Sequence, residues 1–320
     1  KLTTITHAFS GTFDGGAEGN TISRLRVESA EQFGTGFIGV ASGATIKNVH
    51  MDENCKVSNV HASGGGTGGV LGMMDSNAGS TVENCSFAGE VSSLKGMTGG
   101  IVGYAVGKGT STQRSLIKNC TNAGTVTTGS GSAAGIAANF SYGKVEGCIN
   151  SGMVSVLPDA TASTAAAGIT AGSGTVVEIS NCANKGAITG NGNTAGIAMT
   201  AANGAQVFQC TNEGAVTSNA TAGGIAANAT GTAQVFQCAN SGAVTAGSIA
   251  GGVAGVCRDA TVTVTQCSNS GSIEGATRVG GVVGAPASGP TISHSYNVGS
   301  VKGTGKYPVG GVVGPSTSTP

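Results

Sequence analysis

The sequence predicts an all-β chain folded as a right-handed parallel β-helix, a solenoid of about ten turns with roughly three short strands per turn. Three observations carry this expectation. A cysteine followed two residues later by asparagine and four later by glycine returns every 28 to 35 residues. A Gly-apolar-x-Gly segment returns in step with it. The remaining apolar residues are mostly Val and Ile in short stretches separated by Gly, Ser, Thr, Asn and Asp. Such stretches lack the 3.6-residue period of a helix and favour strands. A unit this short cannot enclose a core, so it buries its apolar side against the next unit. Parallel crossovers are strongly right-handed. Stacked turns sit about 4.8 Å apart, which gives a rod roughly 45 to 50 Å long.

In chain order, residues 1–60 read as an N-terminal cap with the first turns, 61–314 as repeats of the same solenoid, and 315–320 as a linker or tail. Gly36-Phe-Ile-Gly39 opens the Gly-apolar series, and Gly69-Val-Leu-Gly72, Gly100-Ile-Val-Gly103, Gly252-Val-Ala-Gly255, Gly281-Val-Val-Gly284 and Gly311-Val-Val-Gly314 are full copies. The copies at Gly135, Gly168, Gly196 and Gly224 end in Ala or Met. A β-branched residue three before the Cys (Val145, Ile179, Val207, Val235, Val264) marks a second strand. Another six after it (Val126, Val154, Ile188, Val216, Val244, Ile273) marks a third. The chain begins at Lys1 without Met or leader, so a trimmed fragment or mature domain of a longer protein is expected.

Glycine makes up 58 of 320 residues, charged residues 9%, and Trp is absent. Tight corners and a narrow interior account for the small residues. Net charge is zero with no basic cluster, which argues against nucleic acid. No run of 18 apolar residues is present to span a membrane.

The nine cysteines have a structural explanation. Cys85, Cys120, Cys148, Cys182, Cys210, Cys238 and Cys267 fall in one column, with Cys55 below them and Cys257 out of phase. The column reads as an interior ladder of reduced thiols used as small apolar residues. Stacked side chains point in parallel and suit a disulfide poorly. There is no CxxC pair, and a line of thiols cannot supply a tetrahedron, so neither metal nor cofactor is expected. Asn122, Asn150, Asn184, Asn212, Asn240, Asn269 and Asn297 form a second column. Each amide can donate to the next and satisfy backbone at a corner.

Two features suggest binding. Two residues before the Cys, the chain carries Glu83, Lys118 and Glu146 in three repeats and Phe208 and Phe236 in two others. If that column points outward, the charges form a solvated ladder of little energetic worth. The two aromatic rings then stack on the surface, where apolar patches often mark interaction sites. The second feature is a pair of insertions, Tyr104 to Ser115 and Ser155 to Ala165. Insertions in solenoids become loops on one face, often the binding face. Tyr104, Arg114, Pro158 and Asp159 are therefore candidates alongside the Phe pair, all on one flank.

These residues resemble the GLUG repeat family, named for its Gly-Leu-x-Gly tetrapeptide, with a pattern close to GGLVG, a gap, then IxNCYNxGxVxG. Gly99-Gly-Ile-Val-Gly103 followed by Ile117-Lys-Asn-Cys-Thr-Asn-Ala-Gly-Thr-Val126 is similar to it, as is Gly280-Gly-Val-Val-Gly284 followed by Ile292-Ser-His-Ser-Tyr-Asn-Val-Gly-Ser-Val301. Phe9-Ser-Gly-Thr-Phe-Asp-Gly15 with Thr21-Ile-Ser23 resembles the strand and turn that often open such proteins. The resemblance spans residues 9–314. It implies a β-solenoid of an extracellular bacterial protein, many members being from gut Bacteroidetes and some flanking an immunoglobulin-cleaving protease. The chain departs from the pattern with Gln209, Gln237 and Gln266 in place of the Asn before Cys.

Catalytic patterns are sparse. A glycosidase needs two carboxylates about 5 to 10 Å apart, and the five Asp (14, 52, 75, 159, 259) lie in different repeats. The spacing of His7, His50, His61 and His294 implies no Ser or Cys partner. Asp14-Gly-Gly-Ala-Glu18 lacks the alternating ligands of a calcium loop and reads as a turn. The expectation is a secreted or cell-surface, adhesin-like binding or spacer module, monomeric and without catalysis, whose partner is a host or bacterial surface glycan or protein. The alternatives are a polysaccharide lyase or glycoside hydrolase and, more remotely, an ice-binding solenoid suggested by the row Thr189, Thr217, Thr245.

Overall fold

The computed structural model describes residues 8–16, 20–30, 32–62, 64–75, 78–106, 114–157, 164–174 and 176–316. It is a parallel β-solenoid. Ten strands, from Arg26–Ser29 to Val301–Gly303, stack in one sheet, each parallel to its neighbour, which counts ten turns. The same stacking runs without a break across residue 60, from Lys56–Asn59 onto Glu90–Ser93. One turn reads Gly131–Ala134, Ala137–Ser141, Gly143–Glu146, Ile149–Asn150 and Val154–Val156. Three of these are the expected strands. The other two are a small-residue strand leading into the Gly-apolar corner and a two-residue strand carrying the Asn.

Every turn repeats the corner before the Cys. There the residue at Cys−1 takes a positive φ: Asn84, Asn119, Gly147, Asn181, Gln209, Gln237 and Gln266 all lie between 51° and 64°. The left-handed region suits Asn and Gly and costs most other residues about 1–2 kcal/mol, which explains Asn there and makes the three Gln unusual.

The Asn column divides the interior. Asn122 Nδ2 donates to Asn150 Oδ1 at 2.8 Å, and the pattern repeats through Asn184, Asn212, Asn240, Asn269 and Asn297 at 2.6–2.8 Å. Each amide also donates to the carbonyl of the glycine two residues on, as Asn212 does to Gly214 at 2.9 Å. Across the section, a Cβ on Gly100, Gly135, Gly168, Gly196, Gly224, Gly252 or Gly281 would overlap the Asn side chain of the same turn. That close approach is why the two sequence motifs keep step.

From Asn122 onward the core splits in two. The larger lobe holds the Cys column with Ile117, Val145, Ile179 and Val207. The smaller holds Val126, Val154 and Ile188, continued by Val216, Val244 and Ile273. In the turns where Met51 and Phe87 stand in place of Asn, Val57 and Val91 join the larger lobe. An apolar side chain at the waist fuses the lobes, and an amide separates them. Phe87 also ends the ladder: Asn122 Oδ1 is buried with no hydrogen-bond partner.

Candidate functional site

The strands preceding each Cys show one side to the core and turn two columns outward, whose residues are partly or fully exposed except for the buried Ser180. In the first column Asp14, Lys47, Glu83, Lys118, Glu146, Ser180, Phe208, Phe236, Thr265 and Ser293 follow one another in register. In the second, Thr81, Leu116, Lys144, Glu178, Gln206, Gln234, Thr263 and Thr291 do the same. The alternation that places Val207 and Val235 in the core turns Phe208 and Phe236 outward, where both remain partly buried. Their ring centroids are 4.9 Å apart and the planes differ by 5°. That separation is too short for rings side by side in one plane, so they overlap face to face, an offset stack worth about 0.5–1.5 kcal/mol. One face of each ring is used on the other. The outer faces look along the rod, that of Phe208 toward Ser180, which is buried, and that of Phe236 toward the partly exposed Thr265.

Both Phe sit in the same hexapeptide, Ala-Gln-Val-Phe-Gln-Cys, at 205–210 and 233–238. Gln206 Nε2 donates to Gln234 Oε1 at 3.1 Å, and Gln206, Gln209, Gln234 and Gln237 are all exposed. The rings are thus bordered by amides on both sides. Ionised groups begin one turn toward the N-terminus, where Lys144 bridges Glu178 at 2.9 Å and Glu146 at 3.4 Å. Glu146 therefore pairs with the lysine of its own strand as well as facing Lys118 in register.

The other sequence candidates lie elsewhere. Tyr104 is on the strand Val102–Val106, in register with Met73 and Asn139, not in an insertion loop. It faces a shallow cavity of about 290 Å³ shared with Met73, Met97, Gln32 and Gly64–Gly66. Arg114 is exposed just before Ser115–Lys118. Pro158 and Asp159 fall outside the described residues. The expectation of one flank does not hold. The first long connection leaves after Val102–Val106 and returns at Ser115–Lys118. The second leaves after Val154–Val156 and returns at Ala165–Ala167, between two other sheets. Spacing along the chain did not reveal the angle around the coil.

The histidine reading also needs amendment. His50 Nδ1 lies 2.9 Å from Ser86 Oγ, one turn away. Among the described residues Asp52, in the same turn, bonds Asn54 and Ser23 and not this imidazole, so no carboxylate orients it as a general base would require. All nine cysteines are free and buried, but Cys55 does not stand below the column as expected: Val49 lies beneath Cys85, and Cys55 sits at another corner against Gly89. Each ladder thiol donates to main-chain carbonyls, as Cys210 does to Phe208 at 3.2 Å. Burial pushes the Cys257 thiol up to about 12 and that of Cys148 well above the usual range, which suits packing and not nucleophilic attack. Among the described residues no group of three or more His, Cys, Asp or Glu could hold a metal ion. No described helix is long and apolar enough to cross a membrane.

Fold and surface together define a parallel β-solenoid with a stacked, amide-bordered aromatic patch. No protein-family model matches the chain, and no curated protein does. Among solved structures it is similar to the crystal structure of a "putative immunoglobulin A1 protease" from Bacteroides ovatus, at 22% identity and a TM-score of 0.47. The match covers 73% of this chain and 61% of that one, so this chain spans about three fifths of that protein.

Proposed function

We propose that the protein is a non-catalytic binding module of a secreted or surface-displayed bacterial protein, with the solenoid as a rigid spacer and the Phe208–Phe236 stack as its contact point. The observation that carries this reading is the stack itself. Two partly buried aromatic rings sit in register on a face whose other rungs are charged or hydroxylic. A large apolar side chain there does nothing for the core, which Val207 and Val235 already fill. Aromatic surface of this kind serves a partner. The resemblance to extracellular GLUG-repeat proteins supports the location. The test is the double variant Phe208→Ser, Phe236→Ser, assayed against host mucosal and bacterial surface extracts and purified glycans. It should fold like the parent and lose binding. Polysaccharide turnover that scales with protein concentration would replace this reading with an enzymatic one.

A further inference from the structure

We infer that the ligand of this patch is an uncharged glycan chain, an inference that rests on the binding reading above and names its chemistry. Three observations select it. The patch has no ionised side chain: across three turns its outward residues are Gln206, Phe208 and Gln209, then Gln234, Phe236 and Gln237, then Thr263, Thr265 and Gln266. The nearest charges in the same columns, Glu178 and Glu146 with Lys144 between them, carry a net negative charge that disfavours uronates and sulfated sugars.

The amides have the right chemistry. A glutamine offers two donors and an acceptor, which matches a hydroxyl that both gives and accepts hydrogen bonds. The Gln206–Gln234 bond leaves the acceptor of Gln206 and a donor of Gln234 outside it. The solvent-exposed parts of the two rings supply the apolar counterpart to the C–H side of a pyranose.

The third observation is backbone geometry. Gln209 and Gln237 occupy left-handed corners, with φ of 52° and 54°, where Asn stands at 84, 119 and 181. Asn is the better residue for that backbone. A longer amide that reaches past the corner, retained at a conformational cost beside the rings, is what a contact residue would show.

Affinity electrophoresis of the intact chain in gels containing galactomannan, xyloglucan or arabinoxylan, and in gels containing polygalacturonate or chondroitin sulfate, tests this. The expected result is retardation by at least one neutral polymer, lost at least tenfold in Phe208→Ser, Phe236→Ser and at least fivefold in Gln209→Asn, Gln237→Asn. The Asn variant keeps the corner and removes only reach, so its fold is not at risk. Phe-dependent retardation by the acidic polymers overturns the ligand class and leaves the binding module standing, as does Phe-dependent capture of a protein with no neutral polymer bound. Retardation by a neutral polymer that both double variants retain overturns the site.

Discussion

Removing one rung from the middle of the asparagine ladder should be far more damaging than removing the last one. Asn212 is fully buried, accepts from Asn184 Nδ2 at 2.7 Å, and donates to Asn240 Oδ1 at 2.7 Å and to Gly214 at 2.9 Å. In Asn212→Ala an N–H of Asn184 and the Oδ1 of Asn240 are left without partners inside the buried waist, and the Gly214 carbonyl loses this donor as well. Each stranded buried group costs about 1–3 kcal/mol, so the loss should be about 4 kcal/mol. Asn297 is only partly buried and ends the column, so its removal strands the amide of Asn269 near solvent and should cost about 1 kcal/mol. Urea unfolding followed by circular dichroism gives the two costs. Hydrogen exchange gives the place, because a solenoid turn touches only its neighbours, and amides near Asn184 and Asn240 should lose protection first. Equal costs for the two variants, or protection lost evenly from one end of the rod to the other, would refute the reasoning.

Other outcomes follow from the same geometry. Gly135→Ala should cost about 3 kcal/mol in the denaturation midpoint, since its Cβ would overlap both Asn150 and the Gly168 carbonyl, whereas Gly311→Ala meets nothing and should be neutral. Gln209→Asn, Gln237→Asn should raise stability by about 1 kcal/mol by relieving the left-handed corners; a loss in urea would contradict that account. A thiol reagent should count nine free cysteines after denaturation and label almost none before it; rapid labelling of the native protein would show the ladder to be accessible. Asn48, the Gly16 amide and Lys47 hold the Asp14 carboxyl down at about 2. The stabilisation is therefore present above the ordinary carboxylate range and fades as pH falls toward 2, and Asp14→Asn should flatten the unfolding curve over that interval.

The repeat, the parallel stacking and the direction of the cysteines were all legible in the sequence, because a column of identical residues has to face one way in every turn. The Phe stack was legible for the same reason: the hexapeptide recurs at the spacing of one turn. Three features were hidden. The strands Thr121–Asn122 and Thr211–Asn212 are two residues long, and alternation cannot be read from two residues. Tyr104 lies on a strand because Val102–Val106 runs on past the Gly100–Gly103 motif, from whose end the insertion was counted. The glutamines at Cys−1 looked like a loose substitution for Asn until the backbone showed that position to be strained. What a sequence repeat conveys is height along the rod; where a residue sits around the coil depends on corners that Gly and Asn build locally.

The amide column bears on how long such a rod can be. Every rung from Asn150 to Asn269 receives from below and gives to above in the same way, so none of them registers how many others there are. Excising residues 207–234, a complete coil of 28, would set Asn184 beneath Asn240 with the bond between them intact, and duplicating the same stretch would add a third Phe to the stack. Reach and the number of aromatic contacts are thus quantised in whole coils and can change together in a single genetic event, while the two ends go on meeting the same neighbours.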